Sequence, residues 1–255
     1  MEYGLIGEKL THSFSKDIHE QLADYTYDIT PLTREELPSF MEKHEFKAIN
    51  VTIPYKQTVI PYIDVMNDSA KAIGAVNTIV NKDGKLYGYN TDYYGFLYMC
   101  RHNGVELKDK KVLVLGNGGA SKAVCAVVRN ENAAECIIVD IVPAEGVITY
   151  EECLAKHTDV DIIINTSPVG MYPKVDASPL DLTAFTRCTA VLDVIYNPLT
   201  TKLTAQAREL GMTGVNGLEM LVAQAKYAVE FFLDTRIDDS VIDGIYKKLY
   251  EEKNN

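Results

Sequence analysis

Lys111-Val112-Leu113-Val114-Leu115-Gly116-Asn117-Gly118-Gly119-Ala120-Ser121 is the stretch that decides the fold. Its near-continuous apolar run is the pattern of a strand buried on both faces, as in a parallel sheet. The run feeds directly into a glycine loop, Ala123–Val128 continues as a helix, and Glu135–Asp140 reads as the next strand, ending in an acid. Gly116 permits a sharp turn, and Gly118 lets backbone approach a pyrophosphate. The following helix aims its N–H groups at the same point. The sixth loop position is Ser121 instead of glycine, so the weight rests on the context of strand, loop, helix, strand and acid. Asp140 follows Gly119 by 21 residues, close to the spacing of an acid that holds an adenosine ribose diol. The competing reading is a structural βα turn with an incidental acid.

Working outward, Asp161–Thr166, Ala190–Ile195 and Met212–Val215 supply further strands. The first ninety residues have a different rhythm. Tyr3–Ile6, Tyr27–Thr30 and Phe46–Ile53 read as extended, and Lys16–Tyr25 and Arg34–His44 as helical. Ala75–Val80 and Lys85–Tyr89 flank Asn81-Lys82-Asp83-Gly84, a hairpin signal. Helices near 92–102 and 217–233 bracket the middle of the chain; Asn103-Gly104 closes the first, and Leu218, Leu221, Val222, Ala225, Ala228, Val229 and Phe232 form one apolar face of the second. The expected fold class is α/β with two domains. Residues 1–92 form a mixed α/β domain completed by C-terminal helices in 218–255. Residues 93–217 form a Rossmann-like, doubly wound dinucleotide-binding domain.

The composition bounds the function. With 255 residues, 47% hydrophobic and 24% charged, the chain suits one large or two modest domains and neither a disordered nor a fibrous protein. The 25 basic residues against 36 acidic ones give a net charge of −11, which disfavours nucleic acid and membrane surfaces as partners. An anionic ligand must therefore be held by hydroxyls, single lysines or helix N-termini. The start, Met1-Glu2-Tyr3-Gly4, shows no secretory signal, and no apolar run approaches the roughly 20 residues of a membrane span. Cys100, Cys125, Cys136, Cys153 and Cys188 are scattered without a C-x-x-C pair. They read as reduced thiols of a cytoplasmic protein, and no cluster has metal-ligand spacing.

Several polar segments sit near strand ends. In His12-Ser13-Phe14-Ser15, an extended backbone would project both hydroxyls to one side for a carboxylate, or Ser15 would merely cap the helix from Lys16. His12 and His19 read as structural. Asn50 and Thr52 alternate on one face before Pro54 and Lys56, and Lys56 reads equally as a surface lysine. Asn77-Thr78 and Asn90-Thr91-Asp92 repeat an Asn-Thr pair that suits a site or turn and capping chemistry, with Asp92 placed to cap its own helix.

Together these segments resemble the shikimate dehydrogenase family over essentially the whole chain. The motifs are His12–Ser15, Asn50-Val51-Thr52-Ile53-Pro54-Tyr55-Lys56, Gly74–Thr78, Gly88–Asp92 and Gly116–Ser121. Asn165–Met171, Asp193–Pro198 and Gly217–Ala225 complete the series. The resemblance implies a nicotinamide-dependent enzyme that reversibly reduces 3-dehydroshikimate to shikimate in aromatic amino-acid biosynthesis, as a monomer or homodimer. It implies that Ser13 and Ser15 hold the substrate carboxylate, that Thr52, Asn77 and Gln224 bind ring hydroxyls with Tyr196 near the substrate, and that Lys56 and Asp92 form the catalytic pair. It places Gly116, Asn117, Gly118, Gly119, Ala120, Ser121, Asn165, Thr166, Ser167 and Met171 along the dinucleotide, with Gly217 near the nicotinamide. A quinate/shikimate dehydrogenase using NAD and a catalytically silent, ligand-sensing relative are the alternatives; the presence of both Lys56 and Asp92 argues against the second.

Two departures from the family pattern stand out. Lys16 replaces a proline after the second serine. More consequentially, NADP-using members carry an Asn-Arg-Thr-like segment after the second nucleotide-domain strand. This chain has Asp140-Ile141-Val142-Pro143-Ala144-Glu145, with no Lys or Arg until Lys156. A carboxylate there accepts from a ribose diol and repels a 2′-phosphate, so NAD(H) is expected over NADP(H), against the family habit. The interval to Val160 also leaves little room for a crossover helix.

Overall fold

In the computed structural model, residues 1–10 and 14–254 are described. The chain divides into two units, Met1–Gly95 with Val222–Leu249 and Phe96–Leu221 with Tyr250–Asn255. The divisions fall partway along two continuous helices, a few residues beyond the expected 92/93 and 217/218.

The first unit contains β1 (Tyr3–Gly7), α1 (Ser15–Leu22), β2 (Tyr27–Pro31), α2 (Glu36–Lys43), β3 (Ala48–Val51), β4 (Val65–Met66), α3 (Asp68–Ile73), β5 (Thr78–Lys82), β6 (Lys85–Tyr89) and the start of α4 (Thr91–His102). Its sheet runs β2-β1-β3-β5-β6-β4. β1 pairs in parallel with β2 and β3, whereas β5 is antiparallel to both β3 and β6. The expected hairpin is present: Asp83 (φ 54°) and Gly84 (φ 83°) are consecutive left-handed residues, the combination a two-residue hairpin turn needs. Alternation along the strands sends Ile6, Ile49 and Ile79 to one apolar cluster and Leu5, Ala48 and Val80 to another.

The second unit contains β7 (Lys111–Leu115), α5 (Gly119–Asn130), β8 (Glu135–Val139), β9 (Val147–Ile148), α6 (Tyr150–Lys156), β10 (Ile162–Asn165), β11 (Ala190–Asp193), α7 (Lys202–Glu209), β12 (Thr213–Val215) and the start of α8 (Leu218–Leu233). α8 continues into the first unit, which also holds α9 (Ser240–Asn254) as far as Leu249. The sheet order is β12-β11-β10-β7-β8-β9, and every pair is parallel. Strand order reverses between β7 and β10. Ligands of open α/β sheets bind outside the carboxyl ends of the strands at such a point. Here those ends are Leu115 and Asn165, which are register partners.

Some sequence expectations are corrected. α1 stops at Leu22 because Ala23 is extended (φ −154°). α2 starts at Glu36, where Glu36 and Thr33 exchange side-chain hydrogen bonds, and ends at the left-handed His44. The strand expected over Ala75–Val80 begins at Thr78. Residues 54–74, left without assignment, form a 3₁₀ turn (Ile60–Tyr62), β4 and α3, the last capped by Asn67. The interval after Asp140 does hold a crossover helix, α6, reduced to seven residues and capped by Thr149. No helix among the described residues is long and apolar enough to cross a membrane.

Candidate active site

In the first unit, Pro54 follows the end of β3, and the chain beyond it is pinned at two points. The buried Tyr55 donates its hydroxyl to Leu32 O (2.6 Å), and Val76 N–H donates to Lys56 O (2.7 Å). This fixes the base of Lys56, whose Nζ donates to Asp92 Oδ2 at 2.6 Å. The lysine side chain is 23% exposed and the aspartate 8%, so the pair is shielded while the ammonium still reaches solvent. Asp92 occupies the first turn of α4, where the helix dipole favours a carboxylate. The expectation that Asp92 caps α4 is corrected: Asn90 Oδ1 accepts from Asp92 N–H (3.1 Å), which leaves the Asp92 carboxylate to Lys56.

The polar residues around this pair form a connected network. Tyr27 OH donates to Asn50 Oδ1 (2.7 Å), and Asn50 Nδ2 donates to Thr78 Oγ1 (3.0 Å) and Asn77 O (3.2 Å). Asn77 Oδ1 accepts from Thr78 Oγ1 (2.9 Å) and from Thr91 N–H (2.7 Å). Asn77 thus spends its carbonyl internally, and its amide nitrogen is the donor it can offer a ligand. Thr52 and Gln224, on α8, are partly exposed.

Ser15 corrects both of its readings. Phe14 is right-handed helical (φ −68°, ψ −9°) and takes the cap position without a side-chain cap bond. The segment is therefore not extended at Phe14, and Ser15 is the first residue of α1 instead of its cap. Ser13 and His12 lie outside the described residues. His19 is buried, stacks on Tyr27 (4.0 Å between centroids) and hydrogen-bonds Tyr25 OH through Nδ1 (2.8 Å). Burial drives its pKa down to about 3, so it stays neutral.

In the second unit, the glycine loop has the geometry of an anion cradle. Gly116 has φ 99°, and a Cβ there would stand 3.0 Å from both Ser167 N and Thr166 Oγ1. A Cβ on Gly118 or Gly119 would meet nothing within 4 Å. These two glycines border open space at the start of α5, whose first N–H groups lack intrahelical partners. The dinucleotide fits: the cradle suits a pyrophosphate, and the Asp140 carboxylate stands just beyond β8, beside the loop. Asp140 Oδ2 accepts from Asn117 N–H (2.7 Å) and Oδ1 from Val142 N–H (2.8 Å), with lone pairs left for a diol.

Other expected cofactor residues play supporting parts. Asn165 is fully buried. Its amide donates to Asp193 Oδ1 (3.0 Å), and its carbonyl accepts from Ser167 N–H (3.1 Å) and Ser167 Oγ (2.7 Å). Its side chain shapes the 166–171 loop and is not turned toward a ligand. Ser121 is likewise buried, with Oγ 3.7 Å from Cys125 Sγ, so only its backbone faces the loop. Thr166 Oγ1 donates to Leu115 O (2.7 Å) and ties the two switch-point strands. Ser167 is partly exposed and Met171 exposed. Gly217 packs so closely on Val194 that a Cβ would run into the Val194 carbonyl. It immediately precedes α8. Tyr196 belongs to this unit and is partly buried, and burial raises its hydroxyl pKa.

Asp193, singled out only as part of a motif, is fully buried and accepts from Ile195 N–H (3.0 Å), Thr201 Oγ1 (2.8 Å) and Asn165. Burial outweighs these donors and pushes its pKa up to about 6. Asn50, Thr78 and Thr91 also went without assigned roles; the repeated Asn-Thr pair was the available signal.

A doubly wound parallel sheet with this cradle, together with a mixed sheet bearing a shielded lysine–aspartate couple, defines an oxidoreductase that acts on a CH–OH group with a nicotinamide dinucleotide. Residues 5–79 match the shikimate dehydrogenase substrate binding domain. A shikimate dehydrogenase (NADP(+)) of Clostridium beijerinckii is 40% identical over 96% of each chain. The chain belongs to the shikimate dehydrogenase family. Among solved structures, a chorismate mutase/shikimate 5-dehydrogenase fusion protein from Clostridium acetobutylicum superposes with TM-score 0.93 at 36% identity, covering 99% of this chain and 98% of that one. The shikimate 5-dehydrogenase of Thermus thermophilus, in complex with NADP(H) and shikimate, gives TM-score 0.86 at 27% identity, covering 97% and 99%.

Proposed function

We propose that this chain interconverts 3-dehydroshikimate and shikimate, with Lys56 as the proton donor and acceptor and Asp92 as its partner. The carrying observation is the shielded 2.6 Å contact between Lys56 Nζ and Asp92 Oδ2. In reduction, the ring oxygen gains negative charge. An ammonium at Lys56 stabilises that charge and donates a proton to the oxygen; in oxidation, the neutral amine takes the proton back. Asp92 holds Nζ in place through the 2.6 Å hydrogen bond. The Asn77 amide, Thr52 and Gln224 suit the ring hydroxyls, and Ser15 with Ser13 suits the carboxylate. The α5 N-terminus with Gly118 and Gly119 would hold the dinucleotide pyrophosphate, Asp140 the adenosine ribose, and Thr166–Met171 with Gly217 the nicotinamide end. When bound, the dinucleotide supplies or accepts the hydride.

The cofactor reading favours NAD(H). Relatives are named for NADP(+), but here the residue after β8 is a carboxylate anchored by two backbone N–H groups. It is followed by exposed Ile141 and Val142 and, along the sequence, by no Lys or Arg until Lys156. The same observation keeps an NAD-dependent quinate/shikimate dehydrogenase as the second reading. A matrix of initial rates for shikimate and quinate against NAD⁺ and NADP⁺ tests both. Turnover of shikimate, faster with NAD⁺, is expected. A clear NADP⁺ preference overturns the cofactor reading, and quinate as the better substrate selects the second function.

A further inference from the structure

Tyr27 lies at the start of β2 and is absent from every role assigned above, yet it touches the supports of three proposed substrate-contacting elements. Its ring is fully buried and stacks on His19, which sits on α1 one turn beyond Ser15. Its hydroxyl donates to Asn50 Oδ1 at 2.7 Å. Asn50 passes the connection to Thr78 Oγ1 and Asn77 O, and Thr78 passes it to Asn77 Oδ1. Thr91, the residue before Asp92, closes the series on the same Asn77 oxygen.

We infer that Tyr27 is a positioning residue for the reaction, the anchor of a buried hydrogen-bonded spine that sets α1, Asn77 and the start of α4 relative to one another. The inference rests on the proposed function, since it gives the spine its purpose. The physical reason is the direction of donation. An amide whose oxygen is satisfied by a phenol has one orientation: Nδ2 must face β5. Without the phenol, the amide can rotate and exchange donor for acceptor. Thr78 would then lose the donor that turns its own hydroxyl hydrogen toward Asn77. The Asn77 carbonyl would loosen, and its amide would no longer be held for a ring hydroxyl. Burial drives the Tyr27 pKa well above its usual value, so the phenol remains a donor throughout the working pH range.

Tyr27→Phe removes a single oxygen and keeps the ring against His19 and the apolar cluster. In the full-length enzyme, the expected result is about a tenfold fall in kcat/KM for shikimate, carried mainly by KM, which is the scale of losing one buried hydrogen bond. The KM for the dinucleotide should stay within about twofold, because every link of the spine lies in the first unit. Thr78→Val cuts the spine further along and should give the same split. The double variant should lose little more than either single one, as expected of residues acting in one network. A merely structural role would lower the melting temperature of Tyr27→Phe and leave the shikimate KM unchanged. A shikimate kcat/KM within about twofold of the parent, or additive losses in the double variant, would overturn the inference alone. No shikimate-dependent turnover in the parent enzyme would overturn the functional reading and this inference with it.

Discussion

Lys56 Nζ and Asp92 Oδ2 meet at 2.6 Å, although 36 residues separate them in the chain. The approach depends on Asn90, which takes over the capping of α4 and leaves the Asp92 carboxylate to the lysine. Lys56→Ala should lower kcat by roughly 100- to 10,000-fold, the range of a positioned proton donor. Shikimate binding, read by calorimetry, should survive within about tenfold. Near-native kcat would remove Lys56 from the mechanism. Asp92→Asn should fall less far, because the ammonium remains.

Asp140 offers a separate handle. Asp140→Asn removes the charge that a 2′-phosphate would face, while the amide oxygen can still accept one of the two backbone N–H bonds. The ratio of kcat/KM for NADP⁺ to that for NAD⁺ should rise about tenfold, the scale of relieving one close like-charge contact near a surface. An unchanged ratio would mean that Asp140 does not face the cofactor's ribose.

The glycines separate space for a ligand from space taken by the fold. Gly118→Ala should leave the melting temperature nearly unchanged, since its Cβ would meet nothing, yet raise the dinucleotide KM. Gly217→Ala forces a methyl group into the Val194 carbonyl and should cost about 1–3 kcal/mol of stability. Equal loss of stability in both variants would contradict this division.

His19 makes acid stability testable. Its folded pKa of about 3 lies below the unfolded value of 6.5, so the unfolded chain binds the proton first. The stability it contributes is full above pH 6.5 and is lost as pH falls through 6.5 toward 3. Asp193 works in the opposite sense: its pKa is raised from 3.8 to about 6, so its contribution is present below 3.8 and is lost as pH rises toward 6. Thermal melts from pH 7 down to about pH 4.5 should show a shallower decline for His19→Phe than for the parent, by up to one proton. An identical slope would mean that His19 protonates freely in the folded state.

What the sequence disclosed follows from how local each cause is. The hairpin at Asp83-Gly84 was legible because two left-handed residues leave a composition signature, and the β7 loop because glycines, strand and helix adjoin one another. α3, β4 and the 3₁₀ turn were not legible, since short elements carry too few residues to show a period. Lys56 and Asp92 reached the candidate site through motif resemblance; their spacing alone said nothing. The inward turn of Asn165, the helical start at Ser15 and Asn90's capping role depend on partners distant in sequence or on one backbone angle, and no residue pattern encodes those.

The apolar cluster formed by Leu5, Tyr27, Ala48 and Val80 is completed by Ala228 and Phe232 of α8. The proposed catalytic unit therefore joins β1 to α8, which lie on either side of the dinucleotide-binding sheet in chain order. During synthesis, the first unit's sheet lacks the α8 cover of one face until the whole dinucleotide sheet has emerged. Residues 1–95 expressed alone would keep Lys56, Asp92 and the full set of strands, yet present that bare face to water. Such a fragment should be prone to aggregation until a peptide spanning α8 is supplied in trans.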